Sequence, residues 1–248
     1  MSSKIEYSLT PWDTKSLELK TAEIKIDSYS DLDNFKADYC AIEEKLLEAN
    51  VQFVYTRITS FDRALRDFLQ KSGFYFVETS LEFSLIRFHN FEKRKLPIME
   101  YRLADVEDLS LIKTIARDSF NFGRFHEDVN ISMTKSRLRY YNWIDDLVNQ
   151  NAEIYVAKVG NDIVGFNIQK TDHLRKVVTL VLAGCKVGAE IFSMSLWNEI
   201  IYENKIKGFN QINALISASN IGVFNIYTQF NFTLKNTYLG FHKMIIKN

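Results

Sequence analysis

The stretch Asn220-Ile-Gly-Val223-Phe-Asn-Ile-Tyr227-Thr-Gln-Phe-Asn231-Phe232 reads as a short helix set between two strands. Asn is a preferred helix-capping residue, because its side-chain oxygen accepts an amide that the first turn leaves without a partner. Seven residues, two helical turns, separate Asn220 from Tyr227, so the two polar groups share a face. Gln211 to Ser217 supplies the strand before this helix and Phe232 to Ile246 the strand after it. Further upstream, Gly208 ends a helix of about 188–205 that carries Ile191, Met194, Trp197 and Ile201 at helical spacing. The strand Lys176 to Leu182 leads into it through Ala183-Gly184. Ile154 to Val159, Gly160-Asn-Asp162 and Ile163 to Ile168 form a strand, a tight turn and a strand. Before them lie a helix at 132–149 with Leu138, Tyr141, Trp143, Ile144, Leu147 and Val148, and a helix at 105–119 with Asp105 as cap. Ile98 to Leu103 alternates as the strand that opens the series. The order β-α-α-β-β-β-α-β-α-β defines an α/β fold.

That order, with Gly165 inside a strand and the Asn-to-Tyr spacing above, resembles the GNAT acyl-CoA N-acyltransferases, whose pattern is Asn, small residue, Tyr, Gly-Phe. The likeness covers about 98–248, with Asn231 standing where the family has Gly. It implies a mixed central sheet, a pantetheine contact from Asn220 and proton donation from Tyr227 to the departing CoA thiolate. It also implies that the backbone amide of Leu182, where the family splays this strand, polarises the thioester carbonyl. A leaving thiolate develops charge, and a phenol within hydrogen-bond reach can stabilise or protonate it. Without the family, Asn220 is simply a cap and Tyr227 a core residue.

Gly184-Cys185-Lys186-Val187-Gly188-Ala189-Glu190 resembles the family turn Gln/Arg-x-x-Gly-x-Gly/Ala, in which helix-start amides hold the CoA pyrophosphate. Cys185 stands at the usual Gln/Arg position and Glu190 at the last small one; Lys186 is expected to restore the missing charge. The resemblance implies cofactor contacts from Leu182, Lys186, Val187, Gly188, Ala189, Glu190, Asn220 and Tyr227, with the pyrophosphate on the amides of residues 186–189. The alternative is a plain glycine-rich helix start. No histidine lies near Cys185 in sequence, which argues against a thiol nucleophile.

Ser119-Phe-Asn-Phe-Gly-Arg124-Phe125-His126-Glu-Asp128, between the first two helices, resembles a loop of bacterial nucleotide-sugar N-acyltransferases that act on dTDP-linked amino-dideoxy sugars. Substrate contacts from Arg124, Phe125, His126 and Asp128 follow from that likeness. The Arg124 fork suits a pyrophosphate, the aromatic ring suits stacking, and His126 or Asp128 suits orienting the sugar amine or taking its proton. A solvated loop with a helix-capping Asp128 is the competing reading.

The chain has 248 residues, more than one GNAT unit needs. Pro97, after the charged run 91–95, marks a linker, and the boundary is placed at Arg94. Sliding the N-terminal part by 158 residues lays Gly73-Phe74 on Asn231-Phe232, with Asp62 on Asn220 and Leu69 on Tyr227. Residues 1–94 therefore read as a partial, degenerate GNAT-like unit lacking the proton donor, and 95–248 as the acyl-CoA-binding catalytic unit. Composition is that of a globular protein, 46% hydrophobic and 25% charged, with 31 basic residues against 31 acidic. Balanced charge argues against nucleic acid as partner, the lack of a long apolar run against a membrane, and the scattered histidines and two cysteines against a metal. The expected protein is a cytoplasmic monomer or homodimer that uses acyl-CoA and a dTDP-amino sugar, in surface-polysaccharide sugar biosynthesis. The alternatives are a tandem-GNAT aminoacyl- or peptide N-acyltransferase and a non-catalytic acyl-CoA-binding protein.

Overall fold

Side-chain caps set the ends of four helices. Asp31 accepts from the Asn34 amide at 2.8 Å, Asp62 from Leu65 at 3.0 Å, Ser132 from Lys135 at 3.4 Å and Asn220 from Val223 at 3.2 Å. The computed structural model describes residues 4–245. In chain order the elements are β1 (Lys4–Leu9), α1 (Pro11–Leu17), β2 (Thr21–Ser28), α2 (Leu32–Glu48), β3 (Phe53–Thr59), α3 (Arg63–Lys71) and β4 (Tyr75–Ile86). They continue with β5 (Glu100–Leu103), α4 (Leu109–Ser119), α5 (Met133–Asn149), β6 (Glu153–Val159), β7 (Asp162–Asp172) and β8 (Val177–Cys185). The last are α6 (Ser193–Ile206), β9 (Gln211–Ser217), α7 (Ile221–Gln229) and β10 (Thr233–Met244). The expected α/β series from residue 98 is present, and the helix expected from 188 begins later, at Ser193.

All the strands join one mixed ten-stranded sheet in the order β1-β2-β3-β10-β4-β9-β8-β7-β6-β5. The sheet is continuous across the sequence boundary at Arg94, because β10 inserts between β3 and β4, and β4 pairs with β9. The 158-residue slide accounts for this arrangement pair by pair. It carries Thr59 to Ser217 and Ser80 to Tyr238, and the ladders contain both Tyr238↔Thr59 and Ser80↔Ser217. Tyr238↔Ser80, at the centre of the β10/β4 ladder, maps onto itself, and the irregularities there skip Val77 and Lys235, again 158 apart. The two sequence copies thus exchange their closing strands about a local pseudo-twofold axis.

The cores follow the exchange. Phe241 of β10 is fully buried in the cluster of α2 and α3, with Phe35, Leu65 and Leu69. Its counterpart Phe83 of β4 is buried in the cluster of α6 and α7, with Trp197 and Tyr227. On the opposite sheet face, α4 and α5 cover β6, β7 and β8 through Ile112, Ile144, Phe166 and Leu182. Each half therefore depends on an aromatic ring from the other. Phe241→Ala and Phe83→Ala are each expected to cost about 3–5 kcal/mol, and in urea both halves should unfold in one shared transition. Two separate transitions, followed by Trp fluorescence and far-UV circular dichroism, would refute the mutual dependence.

Candidate active site

β8 and β9 pair in parallel over only four positions, Val177↔Gln211 to Leu180↔Ala214, although β8 runs on to Cys185 and β9 to Ser217. Beyond Leu180 the strands part. Val181 is the extra residue at an irregularity of the β7/β8 ladder, between Leu180 and Leu182. The opening is a cavity of about 350 Å³. Leu182 lies in its β8 wall, Ser217 in its β9 wall, and the cap Asn220 with Val223 and Tyr227 of α7 close its end. The two-turn spacing has thus brought the predicted pair to one face and into one cavity.

Asn220 is both cap and cavity wall. Tyr227 is 3% exposed, stacked on Phe232 at 4.6 Å and tilted against Phe83 at 5.3 Å. Burial pushes its phenol well above 10, with the Trp197 side chain acting weakly in the opposite sense, so the ring oxygen carries its proton throughout the working pH range.

The predicted pyrophosphate turn differs from expectation. The Lys186 amide donates to the Val164 carbonyl at 2.8 Å and the Ala189 amide to the Lys186 carbonyl at 2.9 Å. The Gly188 amide donates to the Glu190 carboxylate at 3.0 Å. Three of the four amides assigned to phosphate are therefore engaged within the chain. Gly188 sits at φ +84, a value that suits glycine and breaks the helical run; a 3-10 turn over Glu190–Phe192 follows before α6 starts. The Glu190 carboxyl, held below its usual range by the Gly188 amide and its own, occupies the place of an anion. Cys185 is buried, and burial pushes its thiol up, away from the thiolate that nucleophilic catalysis needs.

Of the predicted acceptor residues, Arg124 and Phe125 line the cavity, whereas His126 and Asp128 do not. Asp128 is no helix cap, since Ser132 performs that function. Its carboxylate is buried and accepts from Tyr75 at 2.8 Å and the Asn130 amide at 2.8 Å, and pairs with His242 Nδ1 at 2.7 Å. His126 stacks on Tyr140 at 5.2 Å, and burial, aided by Arg137 and Arg139, pushes its ring down to about 4. The loop forms a roof, fixed to β4 and β10 by Asp128 and to the β9–α7 turn by Glu127, which accepts from Ser217 and, at 3.0 Å, from Ser219.

The remaining wall residues come from places the motifs did not mark. Arg57 of β3, Glu78 and Ser80 of β4 and Arg139 of α5 all face the cavity. Arg57 pairs with buried Glu78 at 2.5 Å and Ser80 donates to Glu78 at 2.8 Å. Gly240 makes room for this carboxylate: a Cβ there would lie 2.9 Å from Glu78 Cγ. Burial alone would raise the Glu78 carboxyl, but Arg57, Ser80 and Arg124 outweigh it and hold it ionised. Arg139 pairs with buried Asp13 at 2.5 Å. Arg124 stacks over Tyr55 at 3.9 Å, its nearest carboxylate is Glu23 at 3.8 Å, and its buried Nη1 has no hydrogen-bond partner among the described residues. A charged residue inside a strand, as Arg57 after Phe53-Val-Tyr-Thr or Glu78 after Phe76-Val, was the available sequence signal.

Comparison with known proteins adds the family context. No protein-family model matches the chain. The spore coat polysaccharide biosynthesis protein SpsD of Bacillus subtilis (strain 168) is 21% identical over 242 residues, covering 95% of this chain and 82% of that protein. Among solved structures, the GCN5-related N-acetyltransferase from Sphaerobacter thermophilus superposes with a TM-score of 0.67 at 10% identity, covering 98% of this chain and 78% of that one. One from Kribbella flavida gives 0.62 at 10% identity over 90% and 81%. The tandem GNAT protein from the clavulanic acid biosynthesis pathway gives 0.57 at 8% identity over 91% and 76%. The chain has the GNAT fold.

In this GNAT fold the N-terminal half repeats the parting of strands. β2 and β3 pair in parallel over Thr21↔Phe53 to Ile24↔Thr56; the slide lays Phe53–Thr56 on Gln211–Ala214, the four positions at which β9 pairs with β8. There Tyr29 donates to Asp62, the counterpart of Asn220, at 2.8 Å and packs on Phe35, and Leu69 stands in place of Tyr227. Among the described residues no group of three or more His, Cys, Asp and Glu side chains gathers as a metal site, and no helix is long and apolar enough to cross a membrane.

Two outcomes follow from this geometry. Glu190→Ala frees the Gly188 amide and removes a negative charge, so calorimetric titration should show coenzyme A binding several-fold more tightly to the variant; unchanged binding would dissociate the turn from the phosphates. His126 is neutral in the fold and protonated in the unfolded chain between about pH 4 and 6.5, so it costs stability as pH falls through that window. His126→Phe keeps the stack and removes the proton. Its urea midpoint should therefore drop less than that of the wild type between pH 7.5 and 5.

Proposed function

We propose that this protein transfers an acyl group, acetyl or short hydroxyacyl, from acyl-CoA to the amine of a dTDP-linked amino-dideoxy sugar. The observation that carries the reading is the parting of β8 from β9, with Tyr227 and Asn220 in the same wall and arginines opposite. The pantetheine arm lies in this opening against Asn220, and the pyrophosphate rests on the Val187 amide and the first turn of α6, displacing Glu190. The Leu182 amide polarises the thioester carbonyl. The neutral amine attacks the carbonyl carbon, the tetrahedral intermediate collapses with loss of thiolate, and Tyr227 supplies the proton that completes the CoA thiol; the proton shed by the nitrogen as it becomes an amide passes through solvent and restores the phenol, so that one proton moves net from amine to thiol. Ionised Glu78 is placed to accept a hydrogen bond from the incoming amine.

On the acceptor side, Arg57 and Arg124 present guanidinium forks suited to phosphate oxygens. A relative named for spore coat polysaccharide biosynthesis is in keeping with a saccharide acceptor, and the GNAT fold with acyl-CoA as acyl donor.

Tyr227→Phe should lower kcat by about 10²–10⁴ while leaving KM for acyl-CoA within a few-fold. The measurement is thiol release with acetyl-CoA and a panel of dTDP-3-amino and dTDP-4-amino sugars. Equal turnover by the variant would remove Tyr227 from the chemistry, and failure of every donor–acceptor pair with the wild type would remove the reaction itself.

A further inference from the structure

A second chamber of about 300 Å³ adjoins the cavity and shares Arg57, Thr179, Leu180 and Leu215 with it. Its own lining is Glu82 of β4, Asn213 and Ala214 of β9 and Tyr238 of β10. It rests on the sheet where the exchanged strands meet, next to the Tyr238↔Ser80 pair. No step of the proposed chemistry uses these residues.

The chemistry changes from one chamber to the next. Around the first, Arg57, Arg124 and Arg139 face a single lining carboxylate, Glu78. In the second the lining carboxylate is Glu82, far enough along β4 to be held by neutral donors: the Asn236 amide at 2.6 Å and the Tyr238 hydroxyl at 2.9 Å, both on Oε2. Those bonds fix the carboxylate by neutral donors, with Arg57 the one cation of the lining among the described residues, and the oxygen lone pairs they leave favour O–H and N–H donors. The Asn213 side chain stands beside it, its Oδ1 accepting from Gln211 at 2.7 Å. Leu180, Ala214 and the 41%-exposed Leu215 add apolar surface. An uncharged ring with hydrogen-bond donors and apolar edges fits this combination, and Arg57, common to both chambers, is placed for an anionic link between that ring and the reacting group.

We infer that the second chamber binds the nucleoside of the acceptor, with Glu82 accepting from its N–H or O–H groups, Asn213 bonding a further polar group, and the phosphates lying on Arg57 at the junction. The inference rests on the nucleotide-sugar reading and assigns specificity to β4, β9 and β10.

The test is calorimetric titration of the full chain, and of Glu82→Ala and Asn213→Ala, with inorganic pyrophosphate, dTDP and acetyl-CoA. The wild type should bind dTDP more tightly than pyrophosphate. Each substitution should shrink that preference about tenfold, the scale of one lost hydrogen bond to a charged or buried group, while affinities for pyrophosphate and acetyl-CoA stay within about twofold of wild type. Because both anions share the junction, a merely structural defect would weaken pyrophosphate and dTDP together. A wild type that binds acetyl-CoA but does not prefer dTDP to pyrophosphate overturns the inference, as do variants that keep the full preference or lose both ligands in parallel. A wild type that binds no acetyl-CoA overturns the acyl-transfer reading, and this inference with it.

Discussion

The insertion of β10 between β3 and β4 is the constraint from which the rest of this protein follows. A strand interior to a sheet must satisfy its amides on both sides, and β10 does so against two strands that precede it by well over a hundred residues. With the gap filled, β4 is pushed across to β9 and the two halves become one sheet. The same exchange brings Arg57, Glu78 and Ser80 from the first hundred residues into the wall that faces Tyr227. The N-terminal half parts its own strands beside the Tyr29–Asp62 hydrogen bond, and its contribution is to the other opening.

Electrostatics divides the cavity. Arg57 and Arg139 each have a hydrogen-bonded carboxylate, Glu78 and Asp13, and pairs of this kind are costly to break because the survivor is left charged and desolvated. Arg124 differs. It is held by an aromatic face and a loose ion pair with Glu23, and its buried Nη1, like Nε of Arg57, has no hydrogen-bond partner among the described residues. A chain with no net charge therefore keeps one loosely paired cation at the cavity wall.

The element order from residue 98 was legible because amphipathic helices, the Gly160-Asn-Asp162 turn and the cap at Asn220 are local signals, and the spacing of Asn220 and Tyr227 brought both into the cavity. The 158-residue slide was legible too, from Gly73-Phe74 against Asn231-Phe232 and the strand-helix-strand order around them. What pairing the repeat would adopt was not: strand exchange and two separate sheets bury the same residue types, and only long-range register distinguishes them. For the same reason Asp128 read as a cap or a substrate ligand. Its partners Tyr75 and His242 lie on strands far away in sequence. Among the amides of residues 186–189, that of Gly188 is taken by the Glu190 side chain and those of Lys186 and Ala189 by backbone carbonyls, contacts that the glycine spacing does not mark.

The central position of β10 also has a consequence for how the chain acquires its structure. Until that strand arrives, β3 and β4 have exposed edges toward one another, and the α2–α3 core lacks the ring of Phe241. Folding cannot proceed half by half in the order of synthesis; it waits for a contact of very long sequence separation, which loop closure makes slow. Unpaired strand edges held open for that time are templates for intermolecular pairing. The charged residues Arg57 of β3 and Glu78 and Glu82 of β4 then have a second use as guards against association before the sheet closes.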